Sequence, residues 1–161
     1  RSSAGSAAWG TAALIETDDT ASAGDPQIAM DASGNAVAAW AQFDGTRNNV
    51  WANRYNASTL AWGTATLVET AASTIFSPQV AVDAGGSAIV VWEQSDGTRS
   101  DVWANRYSAS TSTWGAPVPL ETDNTGDAFS AEIALSPSGN GIAIWAQFDG
   151  TGNNIWANIF R

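Results

Sequence analysis

A chain without His, Cys or Lys lacks the usual partners for nucleophilic and general-base catalysis, so its chemistry must rest on carboxylates, guanidinium groups, amides and indoles. It has 16 Asp and Glu, six Arg and nine Trp. Carboxylates could accept sugar hydroxyls or work in pairs on a glycosidic bond. Arginines could hold an anion, and indole faces could stack on sugar rings. The candidates recur. Asp44, Asp96 and Asp149 each open a D-G-T turn, and Glu16, Glu69 and Glu121 each precede Thr. Arg47 and Arg99 follow D-G-T, while Arg54 and Arg106 follow W-A-N. Sites repeated in near-identical settings do not make one active centre, so the chain is read as non-enzymatic. Each candidate also has a structural reading: an Asx turn for the Asp residues, a solvated or turn-bonded role for the Glu residues, a salt bridge for the Arg residues. The structural reading is the one to expect.

The recurrence has a fixed period. Aligned on Trp, three units start at Trp9, Trp62 and Trp114, spaced 53 and 52 residues apart. All nine Trp fall into three columns: Trp9, Trp62 and Trp114; Trp40, Trp92 and Trp145; Trp51, Trp103 and Trp156. Periods of this size mark repeat architectures. Within a unit, short apolar runs separated by Gly, Asp, Asn and Ser read as strands and tight turns. Four strands are expected in unit 1, over 26–31, 35–43, 48–55 and 58–68.

A four-residue D-G-T-R loop sets Trp40 opposite Trp51, and a turn centred on Asn56 and Ala57 sets Trp51 opposite Trp62. The expected result is a cross-strand ladder of three Trp per sheet, buried as a core, with rim Trp left for ligand. In "SAIVVW" Ala88, Val90 and Trp92 share one face, Ile89 and Val91 the other, so both faces must be covered. Four-stranded sheets covered on both faces by their neighbours are the blades of a β-propeller; a two-sheet sandwich is the alternative.

Three blades cannot close a ring of the usual four to eight. The expectation is an all-β propeller with three blades per chain, completed by oligomerisation. Residues 1–15 form a fourth strand for another chain's last blade, 16–68 blade 1, 69–120 blade 2 and 121–161 blade 3 without its fourth strand. Trp9 would then face Trp156 of another copy. A homodimer gives six blades and a homotrimer nine. A piece of a longer propeller, or an engineered symmetric protein, is the other reading of the same pattern.

A formal net charge of −10 leaves no basic footprint for nucleic acid or anionic lipid. Apolar runs such as "AIVVW" fall far short of a membrane helix. "DNTGD" places Asp123, Thr125 and Asp127 at alternate positions but lacks the Gly and Glu of a calcium loop, so no metal or cofactor is expected. The opening at Arg1, with no leader-like segment, suits a processed secreted form.

Gly34, Asn35, Ala36 and Trp40, then Asp44, Gly45 and Thr46, then Trp51 through Tyr55 carry a resemblance to uncharacterised secreted or cell-surface bacterial repeat proteins with G-N-A-x-x-x-W, D-G-T and W-A-N-R-Y units. It covers the whole chain and implies no activity. Unit 3 departs from it, with Gly141 in place of Ala36 and Ile159–Phe160 in place of Arg54–Tyr55. In assembly the chain resembles small fucose-binding lectins whose two-blade subunits form a six-bladed ring, although their sugar motifs are not evident. Two functions follow as expectations: a self-assembling scaffold or interaction repeat, or a carbohydrate-binding module with sites between blades. For the latter the candidate ligands' contacts are Asp44, Arg47, Arg54, Asp96, Arg99, Arg106 and Asp149.

Overall fold

The computed structural model describes residues 9–17, 21–122 and 125–161. Among these there is no helix, and the chain forms three antiparallel sheets in sequence order. Sheet 1 holds β1 (Ala23–Met30), β2 (Ala36–Phe43), β3 (Asn48–Asn56), β4 (Ala61–Trp62) and β5 (Thr66–Leu67). Sheet 2 repeats it with β6 (Ile75–Val82), β7 (Ala88–Ser95), β8 (Ser100–Ser108), β9 (Thr113–Trp114) and β10 (Val118–Pro119). Sheet 3 has β11 (Ala128–Leu135), β12 (Gly141–Phe148) and β13 (Asn153–Phe160). The first strands β1, β6 and β11 touch in series, so the sheets fan out from one side in propeller fashion. No described helix is long and apolar enough to cross a membrane.

The turn residues explain the second and third strands. In each D-G-T turn Gly takes the left-handed conformation, with φ of 95° at Gly45 and Gly97 and 96° at Gly150, where a Cβ would be strained. The four-residue loop fixes the register expected for it: Trp40 pairs with Trp51, Trp92 with Trp103, and Trp145 with Trp156.

The fourth strand differs from expectation. Its continuous run over 58–68 is two short pieces, β4 and β5, and Trp51 lies opposite Leu67, not Trp62. Trp62 instead pairs with Tyr55, and Trp114 with Tyr107, so each ladder is a Trp pair and a Tyr–Trp pair. The cause is the turn. The loop runs to four residues in both units, ending at Leu60 with φ of 54° and at Ser112 with φ of 57°, and in unit 1 Asn56 Oδ1 accepts the Ser58 and Thr59 backbone N–H groups and the Ser58 hydroxyl. The first strands carry a second unforeseen feature, a bulge at Asp25, Ser77 and Ser130, each at positive φ.

Burial follows the two-faced pattern. Val37, Ala39 and Val50 of sheet 1 meet Ala88, Val90 and Trp92 of sheet 2, and Ile89, Val91 and Val102 on its other face meet Ala131, Ala143 and Trp145 of sheet 3. The nine Trp do not form one core: Trp40, Trp92 and Trp145 are buried, Trp51, Trp62, Trp103 and Trp114 half-buried, and Trp9 and Trp156 exposed. Each buried indole N–H donates to the Gln two residues on, at 3.0 Å from Trp40 to Gln42, 3.2 Å from Trp92 to Gln94 and 2.9 Å from Trp145 to Gln147.

Trp92 is fully enclosed between sheets. Trp92→Ala should lower the free energy of unfolding by about 3–5 kcal/mol in urea titration, the usual cost of deleting a buried indole.

Candidate functional site

The D-G-T aspartates are committed to their turns. Asp44 Oδ1 accepts the N–H groups of Thr46 and Arg47 at 2.8 and 2.9 Å, and its Oδ2 accepts the Asn49 amide at 2.9 Å. Asp96 and Asp149 repeat this with Thr98 and Arg99 and with Thr151 and Gly152. These donors pull each carboxyl down to about 2: chiefly the Arg47 N–H for Asp44, and the Thr98 and Thr151 hydroxyls for Asp96 and Asp149.

The arginines divide into two pairs. On the loops, Arg99 forms ion pairs with Asp101 at 3.0 Å and Asp96 at 3.8 Å, while Arg47 Nε donates to Asn49 at 3.2 Å. In the sheets, Arg54 reaches across to sheet 2, where its guanidinium donates to the Tyr107 hydroxyl and lies 4.2 Å above that ring. Arg106 reaches from sheet 2 towards sheet 3, 5.2 Å above the Phe160 ring. The salt-bridge reading therefore holds for Arg99, whereas Arg54 and Arg106 are inter-sheet cation–π contacts.

Of the solvated or turn-bonded role expected for the glutamates, the solvated alternative fails for two of the three. Glu69 and Glu121 are buried. Gln147, already holding the Trp145 indole, donates to Glu121 at 3.3 Å, linking two sheets through one relay. Burial, then hydrogen bonding to Asp101 and its charge, push Glu121 up to about 7 against the pull of Gln147 and Arg99. Burial also raises Glu69 and Glu93.

Two residue sets that the sequence reading passed over tie the sheets together. Besides the W-x-Q glutamines, the Asn of each W-A-N reaches the preceding fourth segment. Asn53 donates to the Ile15 carbonyl, Asn105 to Val68 and Asn158 to Leu120, at 2.7, 2.7 and 2.8 Å. Asn53 and Asn105 also hold Gly63 and Gly115 of their own sheets, at 3.0 and 3.1 Å. Strict recurrence was the available signal, but the motif does not show that the partner lies one sheet away.

The outer faces are unequal to the inner ones. Ile142, Ile144 and Ile155 of sheet 3 are 51, 43 and 76 % exposed, although their equivalents in sheet 1 (Val37, Ala39, Val50) and sheet 2 (Ile89, Val91, Val102) are buried. On sheet 1, Ile28 and Met30 are exposed, whereas Val80 and Val82 and then Ile133 and Leu135 at the same positions pack against the neighbouring sheet. Segment 9–17 forms no strand. Through Ile15 it packs on Trp40 and Ala38, standing to sheet 1 as Val68 stands to sheet 2. Asp123 lies outside the described residues, as do residues 1–8 of the expected first strand.

No protein-family model matches the chain, and no curated protein matches it. Solved structures do. A protein of unknown function from Dyadobacter fermentans aligns at TM-score 0.61 and 11 % identity, over 83 % of this chain and 36 % of that one. An endo-arabinase from Bacteroides thetaiotaomicron aligns at 0.54 and 16 %, over 90 % and 58 %. An ulvan lyase bound to a GlcA–Rha3S saccharide aligns at 0.60 and 9 %, over 84 % and 41 %. The likeness is one of fold. This chain spans between about a third and three fifths of the length of these neighbours.

The opposed carboxyl shifts set a pH optimum of stability. Glu121, raised, contributes fully below about 4.5 and loses its contribution as pH rises through about 7; the three turn aspartates, lowered, contribute above about 3.8 and lose it as pH falls towards about 2. Thermal melts should therefore show a maximum Tm near pH 4–5. Glu121→Gln should make the alkaline limb shallower, Glu69 and Glu93 keeping part of it, while leaving the acid limb intact.

Proposed function

We propose that the protein is a non-enzymatic scaffold that binds copies of itself, the outer face of sheet 3 on one copy seating on the outer face of sheet 1 on the next until a ring closes. The exposure of Ile142, Ile144 and Ile155, at positions buried between sheets elsewhere in the same chain, carries this reading. Ile28 and Met30 supply the complementary surface. Two copies give a six-sheet ring, and three copies a nine-sheet one.

In this ring, segment 9–17 of one copy pairs with β13 of another. Tyr55–Trp62 and Tyr107–Trp114, both with ring centroids 5.5 Å apart, supply the register: Trp9 lies on Phe160 rather than opposite Trp156. Leu14 falls opposite Trp156, as Leu67 does opposite Trp51. The second amide proton of Asn158 then reaches the Gly10 carbonyl, as Asn53 reaches Gly63. Trp9 and Leu14 are 102 and 67 % exposed on the single chain.

Sedimentation equilibrium should give twice the 16.6 kDa chain mass. Ile144→Asp with Ile155→Asp, placing two carboxylates in the face, should raise the dissociation constant by about 100-fold or more, and Trp9→Ala should weaken it further. A monomeric wild-type chain at micromolar concentration would sink this reading.

A second reading is supported by the fold shared with the endo-arabinase and the ulvan lyase, both named for carbohydrate polymers. Here the half-exposed Trp156 would stack on a sugar. Glycan-array binding that is lost in Trp156→Ala favours it; a blank array with an intact fold leaves the scaffold.

A further inference from the structure

Three departures of unit 3 from the repeat meet in one place. Gly141, Ile159 and Phe160, together with Val118 and Pro119 of sheet 2 where sheet 1 has Thr66 and Leu67, line a cavity of about 380 Å³ between sheets 2 and 3. Most of its remaining walls are apolar, among them Ile89, Leu120 and Ile133. Such a volume lies in the range of small-ligand sites, and an apolar lining with a few polar groups is their usual make-up.

The polar groups are Arg106 and the Asn residues beside it. At the junction of sheets 1 and 2 the equivalent guanidinium, Arg54, donates through Nη1 to the Tyr107 hydroxyl, and Tyr107 is only 4 % exposed. At the junction of sheets 2 and 3, Phe160 replaces that tyrosine, so the hydroxyl is missing, and its ring is 42 % exposed. Arg106 stands 5.2 Å above that ring and has no hydrogen-bond acceptor among the described residues. Gly141 adds to the difference: a Cβ there would come within 2.8 Å of Leu135 Cδ2, whereas units 1 and 2 both carry Ala at this position.

We propose that this cavity binds a small aromatic carboxylate, its ring among the apolar walls and its carboxylate on the guanidinium of Arg106. The apolar walls exclude a ligand that is polar all round, because its hydroxyls would lose water without gaining partners. The cation selects an acid over a neutral isostere, since a charge-assisted hydrogen bond to Arg is among the stronger polar contacts. All the lining residues belong to one chain, and in the assembly proposed above Trp9 of another copy lies on Phe160 at one edge of the site.

The test uses the full chain with benzoate and benzamide in isothermal titration calorimetry. Benzoate should bind with a Kd of about 1 mM or tighter, and benzamide about tenfold more weakly. Arg106→Gln should remove the discrimination between the two. Phe160→Tyr rebuilds the hydroxyl that accepts from Arg54 at the other junction; it should keep the fold and mass of the wild type while weakening benzoate about tenfold or more. Gly141→Ala, which restores the residue of the other units, should weaken both probes. No heat with millimolar benzoate, equal binding of the two probes, or unchanged discrimination in a folded Arg106→Gln chain would each overturn the proposal. Binding of neutral saccharides without benzoate would overturn it as well. Because native mass is read separately, failure of this site and failure of self-association give different results.

Discussion

A sheet that is apolar on both faces cannot be left half in water, and that constraint governs the whole molecule. Sheet 2 shows the solution: Val90 and Trp92 are covered by sheet 1, Ile89 and Val91 by sheet 3, and all four are at most 5 % exposed. A solvated sheet would alternate apolar and polar residues, which keeps the exposed side inexpensive. Sheets 1 and 3 each have one such neighbour, and Ile28 and Met30 on the one and Ile142 and Ile144 on the other stay exposed. The small residues of sheet 1, Ala38, Ala39 and Ala41, permit close approach of the next backbone while still removing apolar area from water.

Face-to-face burial is non-directional, so something else must set how one sheet meets the next. The W-A-N asparagines do this. Each lies on the third strand of its own sheet, and its amide reaches a carbonyl of the preceding fourth segment, at Ile15, Val68 or Leu120. Val68 and Leu120 follow directly on the short strands β5 and β10, and Ile15 lies in segment 9–17, so each latch gives a partner to a backbone acceptor outside the regular ladder. Each W-x-Q glutamine accepts the indole N–H of its own strand's Trp, and Gln147 also donates to Glu121 in the crossover that leaves sheet 2. The latch therefore satisfies polar groups and fixes register between sheets at once.

Much of this was legible in the sequence, because local chemistry repeats. The Trp columns, the D-G-T turns and the Trp40–Trp51 pairing depend only on residues a few positions apart, and the structure shows them as expected. The misread turn after β3 looked like a two-residue loop because Asn56 and Ala57 suit one. Both units instead form a four-residue loop, after Asn56 in one and Ser108 in the other, and each closes on a residue in the left-handed conformation, Leu60 and Ser112, that its type rarely announces. The bulges at Asp25, Ser77 and Ser130 left no such mark either. Burial of Glu69 and Glu121 was invisible for another reason: their surroundings come from the next sheet, and no pattern within one unit carries that information.

Repetition also changes what a deviation means. In a single-copy protein, Gly141, Ile159 and Phe160 would pass as ordinary apolar choices. In a repeat, the other units provide the reference for the same backbone position, and there the reference residues close the junction: Tyr107 accepts from Arg54 and is buried beneath it. Gly141, Ile159 and Phe160 meet around one cavity, remove the hydroxyl that accepts from the arginine at the other junction, and delete the methyl group that would crowd Leu135. The shared fold thus places an arginine over an aromatic ring at both junctions, and the departures decide that in one junction the pair holds the sheets together, while in the other it stands open beside an apolar cavity.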